Sequence, residues 1–230
     1  MTPSPVPVRI WVWDVPVRLF HWLLLALIGF SWWSGEQGNE WMEYHGWSGY
    51  AILTLLLFRI AWGFVGSDTA RFAHFVRGPR ASYAYLRSVL QRRPPAYLGH
   101  NPLGGWMILS LLLVLLVQVA TGLLGNDDDA YEAPFSHWLS HDTSSFITTL
   151  HGYNFDLLLG LVGVHVAAVF AHQLLRRDDM IRAMFTGVKT SATGETAGRR
   201  APAWKALVLL GFVVALVYAL LRVGGGAADL

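Results

Sequence analysis

Nine histidines stand in a chain of 230 residues that has no cysteine. Two of them, His151 and His165, lie fourteen residues apart inside one apolar stretch, residues 146–175. At about 100° and 1.5 Å per helical residue, that interval returns the second imidazole to the face of the first, roughly 21 Å further along the axis. Inside a hydrocarbon layer about 30 Å thick, ionisable side chains are costly unless they hold something. Two imidazoles stacked at two depths therefore predict two stacked ligands, and two haems answer that description. The lack of cysteine excludes thiolate-bound iron–sulfur clusters, disulfides and haem attached through Cys-x-x-Cys-His, so such haems would be non-covalent and held by histidine.

The elements that must carry these residues are legible in the composition. The chain is 54% hydrophobic and 14% charged, with a mean hydropathy of +0.41, which fits a helical membrane protein and not an ordinary soluble domain. A net charge of +2, with seventeen Lys and Arg spread between apolar runs, argues against a nucleic-acid partner. Hydropathy gives spans near 17–34, 42–65, 103–125, 146–175 and 204–222. The fold class is thus all-α, an integral membrane bundle of five transmembrane helices. Residues 1–190 are read as a four-helix di-haem domain and 191–230 as a linker plus fifth helix. The first span has no small-x-small cleavage site after it and is read as a retained anchor. The fifth has no internal polar residue and is read as packing or a partner contact.

Basic residues set the orientation. Arg9 and Arg18 precede the first span, Arg71, Arg77, Arg80, Arg87, Arg92 and Arg93 fill the second connection, and Arg176, Arg177, Arg182, Lys189, Arg199 and Arg200 follow the fourth span. Residues 35–44 carry Glu36, Glu40 and Glu43, and residues 126–145 carry Asp127, Asp128, Asp129, Glu132 and Asp142, without a Lys or Arg. The amino terminus is predicted inside, and the carboxyl terminus outside. The connection 66–100, with Phe72, Phe75, Tyr83, Tyr85 and Leu86 among arginines and Pro79 as a break, reads either as an amphipathic helix on the inner surface or as a basic loop. Residues 190–203 read as a flexible linker.

With orientation assigned, depth follows. His45 and His151 each lie a few residues in from the outer surface, while His21 and His165 reach a similar inner level, so four histidines pair as two bis-histidine sites with the fourth helix as common spine. With both axial positions filled, the task of such irons is electron transfer. Gly46 and Gly49 beside His45, and Gly152, Gly160 and Gly163 on the fourth helix, leave room for a flat macrocycle or, equally, for close helix packing. Arg59, fourteen residues beyond His45, either pairs with a propionate or snorkels to the interface. His172 is the alternative to His165, which is preferred because 21 residues from His151 would be about 31 Å; His172 otherwise serves a quinone or a propionate. His74, His137 and His141 are read as surface residues.

The set Trp13-Asp14, Arg18-Leu19-Phe20-His21-Trp22, His45-Gly46 with Gly49-Tyr50, Arg59, Trp62-Gly63, Arg71-Phe72, Gly99-His100-Asn101-Pro102-Leu103-Gly104-Gly105, His151-Gly152 with His165, and Met184, Gly187 and Lys189 resembles the bacterial di-haem cytochrome b-561 family. That family includes the b-type cytochrome subunits of nickel–iron hydrogenases and is related to membrane subunits of formate dehydrogenases; the resemblance covers most of residues 10–190. It implies a quinone-linked electron conduit with His21, His45, His151 and His165 at the haem-ligand positions, and a quinone site beside the inner haem with His100, Asn101 and His172 as candidates. The acidic outer loop departs from the signature and leaves the partner open.

The expected function is transmembrane electron transfer through two haems b, between the quinone pool and a periplasmic redox protein or a larger oxidoreductase subunit, in a bacterial inner membrane. A stand-alone oxidase of a small reductant such as superoxide should have basic residues to steer anions, which the acidic outer loops lack. A proton channel or transporter should show inverted repeats and broken helices carrying acids, and only Asp156 lies well inside a span.

Overall fold

The structure is a computed structural model that describes residues 8–91, 93, 95, 97–126, 131–176, 178–191 and 198–225. Asp127, Asp128 and Asp129 of the acidic loop, Arg92 and Arg177, residues 192–197 of the expected linker and residues 226–230 of the tail lie outside the described residues.

In chain order the elements are β1 (Val8–Trp11), α1 (Val15–Glu36), α2 (Asn39–Val65), α3 (Phe72–Phe75), α4 (Pro79–Leu90), α5 (Pro102–Leu124), α6 (His141–Arg176), α7 (Met180–Thr186), β2 (Val188–Ser191) and α8 (Ala203–Val223). Single 3-10 turns add Asp68–Ala70 and Ser136–Trp138. Five helices, α1, α2, α5, α6 and α8, are long and apolar enough to cross a membrane. Their outward surface is greasy: Leu23, Leu113, Leu157, Val164, Leu207 and Phe212 are each more than half exposed. In water that surface would be a severe penalty; in lipid it is the ordinary exterior.

Local chemistry sets the helix ends. The Val17 amide donates to Asp14 Oδ1 at 2.9 Å, capping the start of α1, while Trp62 Nε1 donates to Asp14 Oδ2 at 2.9 Å. The Gly104 amide donates to Asn101 Oδ1 at 2.8 Å, capping α5. Pro79, expected as a break, instead opens α4, because a proline at the first helical position lacks an N–H that would have no intrahelical partner anyway. Of the two readings for residues 66–100, the helical one describes residues 79–90.

By internal contacts the chain forms two compact units, and all five long helices contribute residues to both. The first comprises residues up to Leu19, Ala61–Ser110 and Gly163–Ala206. It holds an antiparallel ribbon running from Val8↔Ser191 to Trp11↔Val188. The expected flexible linker is therefore corrected in its described parts: Thr190 and Ser191 belong to β2, the Arg199 amide donates to Asp68 Oδ2 at 2.8 Å, and the Ala201 amide to Ser67 Oγ at 3.0 Å. Gly187 ends α7 at φ +79°, and a Cβ there would come within 2.7 Å of the Trp11 ring and of the Trp13 carbonyl. Lys189, 7% exposed, pairs with Asp178 at 2.7 Å.

The second unit comprises Phe20–Ile60, Leu111–Val162 and residues from Leu207 onward. Its core joins Ile52, Leu53 and Leu56 of α2, Leu112, Leu115 and Val119 of α5, Leu158 of α6, and Val213, Val217 and Leu221 of α8. The four-residue interval of the last three is the seam by which the fifth span packs. The loop after α5 folds back through hydrogen bonds from Ala133 N to Gly125 O and from Phe135 N to Leu123 O.

Candidate functional site

Within the second unit, α2 carries His45 and α6 carries His151, and their ring centroids stand 6.1 Å apart with planes at 72°. With a metal–imidazole nitrogen bond of about 2 Å and a ring radius of about 1 Å, two imidazoles on opposite sides of one metal ion have centroids about 6 Å apart.

Each ring is held by its other nitrogen. His45 Nδ1–H donates to the Ser31 carbonyl of α1 at 2.8 Å. His151 Nδ1 lies 3.1 Å from Thr121 Oγ1 of α5. The Thr121 hydroxyl hydrogen is committed to the carbonyls of Val117 and Gln118, at 2.8 and 2.9 Å, so its oxygen accepts from the imidazole. Both networks put the proton on Nδ1 and the lone pair on Nε2, the tautomer a metal requires. Two glycines allow this approach: a Cβ on Gly35 would meet His45 Nδ1 at 3.1 Å, and one on Gly122 would meet His151 Cε1 at 3.0 Å.

Both histidines line a cavity whose apolar walls include Ile52, Leu115, Val119, Phe155 and Leu158. Gly49 and Gly152 also line it, and a Cβ at either would meet nothing within 4 Å. These two glycines thus border open space and do not serve helix packing, whereas Gly46 accommodates the Tyr131 ring. Tyr131 reaches into the lining from the loop after α5, its hydroxyl 2.9 Å from that of Tyr50. Burial first, and the Tyr50 hydroxyl second, push the Tyr131 phenol above its ordinary range and keep it protonated.

The donor set fits a porphyrin. Among the described residues no cluster of three or more His, Asp or Glu is poised for a bare ion; two imidazoles supply only two ligands, and a macrocycle brings four of its own. An apolar cavity with side chains missing at Gly49 and Gly152 leaves room for its faces.

The remaining expected residues fall as follows. On α6, positions 144, 151, 158, 165 and 172 recur every seven residues; Ser144 and Leu158 among them are buried, and His151, His165 and His172 half-buried. On α2, His45, Ile52 and Arg59 recur every seven residues, and Arg59 is 3% exposed, enclosed in the protein and not extended to an interface. His21 belongs to the second unit, its ring edge-on to Trp22; His165 and His172 belong to the first. Also in the first unit, His100 is flanked by Trp13 and Phe75, with centroids 4.4 and 4.8 Å away, and Asn101 serves as the cap of α5.

Sequence reading missed Ser31, Gly35, Thr121 and Gly122. A signal was present: Ser31 and Gly35 share a face of α1 at a four-residue interval, and Thr121-Gly122 ends the third span at the depth of His151.

A bundle of membrane-crossing helices that presents opposed imidazoles to an apolar cavity defines the class: a multi-pass membrane protein built to hold a flat metal-bearing group. The chain belongs to the prokaryotic cytochrome b561 family, whose model matches residues 12–187. It is 30% identical over 209 residues to a probable Ni/Fe-hydrogenase B-type cytochrome subunit of Rhizobium leguminosarum bv. viciae, covering 77% of this chain and 87% of that one. A probable Ni/Fe-hydrogenase B-type cytochrome subunit of Cupriavidus necator and a probable Ni/Fe-hydrogenase 1 B-type cytochrome subunit of Escherichia coli K12 are 27% and 25% identical, covering 78% and 82% of this chain and 86% and 94% of theirs. Family membership makes the group haem b and the activity membrane electron transfer.

Proposed function

We propose that the chain binds two haems b, each between two histidines, and conducts electrons across a bacterial inner membrane between the quinone pool and a periplasmic redox partner. His45 and His151 would hold the outer haem and His21 and His165 the inner one, within the four-helix part, residues 1–190; residues 191–230 add the fifth helix. Histidines on both faces of each haem would leave no place on its iron for substrate, so the group would supply electron transfer alone.

The observation that carries this reading is the opposed pair His45 and His151, 6.1 Å apart, each with Nδ1 bonded to a neighbouring helix. Ser31 and Thr121 would fix the rings, Gly49 and Gly152 would lie against the macrocycle, and the enclosed guanidinium of Arg59 would balance a propionate. The excess of basic residues in the second and fourth connections supports a cytoplasmic amino terminus and a periplasmic carboxyl terminus. The names of the relatives make a hydrogenase-like oxidoreductase the partner of choice, and exposed Glu40 and Glu43 favour a cationic docking face on it. Quinone would act beside the inner haem, near His100, Asn101 and His172.

Haem assay of the purified full chain tests the reading. Two haems b per copy are expected, with His45→Ala and His151→Ala losing the same one and His21→Ala and His165→Ala losing the other. Fewer than two per copy would overturn it, and loss of a haem in His172→Ala but not in His165→Ala would reassign the inner ligand.

A further inference from the structure

The electron-transfer reading makes no use of α4, and that helix is built like a membrane-surface anchor. Tyr83, Leu86 and Leu90 are 69%, 41% and 76% exposed. At about 100° per residue they fall within an arc of about 60°. Arg87 and Arg80, both exposed, occupy the next 60° or so of the same surface. The flank beyond Leu86 is anchored to the protein: Ser82, about 40° past Leu86, and Tyr85, about 100° past it, are buried, and the Tyr85 ring packs edge-on against Tyr97 at 5.6 Å.

The depth of α4 is fixed at its start. Trp106 Nε1, on the second turn of α5, donates to the Arg77 carbonyl at 2.9 Å. A Cβ on Gly105 would stand 2.8 Å from the Phe75 carbonyl, so that segment lies directly on α5. The first turns of α5 are where this span enters the apolar layer, and Trp106 is 43% exposed there, as an interfacial tryptophan would be. The chain therefore enters α4 at the level of the lipid headgroups.

We propose that α4 lies in the plane of the bilayer surface, with Tyr83, Leu86 and Leu90 sunk into the acyl boundary and Arg77, Arg80 and Arg87 on the phosphates of anionic lipids. An apolar arc bordered by arginines matches that interface in both hydrophobicity and charge. A water-soluble protein docking on the same arc would have to reach side chains already at membrane depth.

Because the chain has no cysteine, single labels need no background substitutions. Tyr83→Cys, Leu86→Cys, Leu90→Cys and, as an aqueous control, exposed Ala84→Cys would each carry a nitroxide in the full chain, reconstituted in nanodiscs of phosphatidylglycerol and phosphatidylethanolamine. The first three labels are expected to relax more readily with oxygen than with a water-soluble nickel chelate, and the Ala84 label the reverse. Equal access of the chelate to all four, or exclusion of both relaxants at 83, 86 and 90 as in a contact between proteins, would overturn the proposal. With a bimane on Leu86→Cys, quenching by brominated phosphatidylglycerol should exceed that by brominated phosphatidylcholine. Adding Arg80→Gln and Arg87→Gln should lower that preference about fivefold per arginine; an unchanged preference would refute the lipid contact of the arginines.

Discussion

Gly49 offers the sharpest test of the haem reading, because the two explanations of its missing side chain give opposite signs. It lies one turn after His45 on α2 and borders the cavity, with nothing within 4 Å of the position its Cβ would take. In haem-free protein the Cβ of Gly49→Leu therefore meets nothing, its remaining methyls point into the cavity's open space, and the change removes a glycine from a helix interior, a gain of about 0.5–1 kcal/mol. In haem-loaded protein the same isobutyl group enters space assigned to the macrocycle. Forcing a side chain into a filled site costs about 1–3 kcal/mol, which is roughly a 5- to 150-fold loss of affinity at that haem. Protein made with haem synthesis blocked would be unfolded in denaturant to obtain the first number. Haem titration, with a redox titration resolving the two waves, would give the second. The expected result is a more stable apoprotein that has lost or weakened one haem and kept the other. A variant with a full haem complement and unaltered midpoints would refute the assignment of the cavity, and a destabilised apoprotein would return Gly49 to helix packing.

Three other outcomes follow from individual contacts in the two units. Thr121→Val deletes the acceptor of His151 Nδ1 and should weaken the outer haem about 10- to 100-fold, read as haem retention and a shifted midpoint, while Gly122→Ala should perturb the same wave by displacing the ring. Asp178→Asn leaves Lys189 buried without its counter-charge and should destabilise the protein by about 2–3 kcal/mol, less than for a fully enclosed pair because Asp178 is partly exposed; Lys189→Met should cost less, both measured by thermal unfolding. Tyr131 has a folded pKa raised above its ordinary value of 10.0. Its contribution is intact below that pH and is lost as pH climbs from there toward the folded value, because only the unfolded chain ionises readily. Alkaline unfolding followed by tyrosinate absorbance should lose this component in Tyr131→Phe.

Much of the site was legible because helical periodicity is local. The interval of fourteen residues placed His151 and His165 on one seam before any neighbour was known, and the structure has Leu158 buried midway between them. Hydropathy found the third span as 103–125 against an observed Pro102–Leu124, but began the fourth at 146 where the helix starts at His141. The first turn, His141 to Ser145, is polar and invisible to hydropathy, yet it continues the helix beyond the apolar layer. Glycine was ambiguous for a related reason: Gly46 and Gly49 look alike in the chain, and only their surroundings separate a seat for Tyr131 from a wall of the cavity.

What the amino-acid order determined unaided was the number of membrane crossings, the class of fold and the face on which the paired imidazoles sit, because each depends on side chains a few residues apart. The tertiary structure decided which groups hold those imidazoles: the Ser31 carbonyl for one, the Thr121 hydroxyl for the other, with Gly35 and Gly122 behind them. It also joined β1 to β2 across almost the whole chain and enclosed Lys189 with Asp178. Such contacts depend on how each helix is rotated and where each loop returns, and no local period records either.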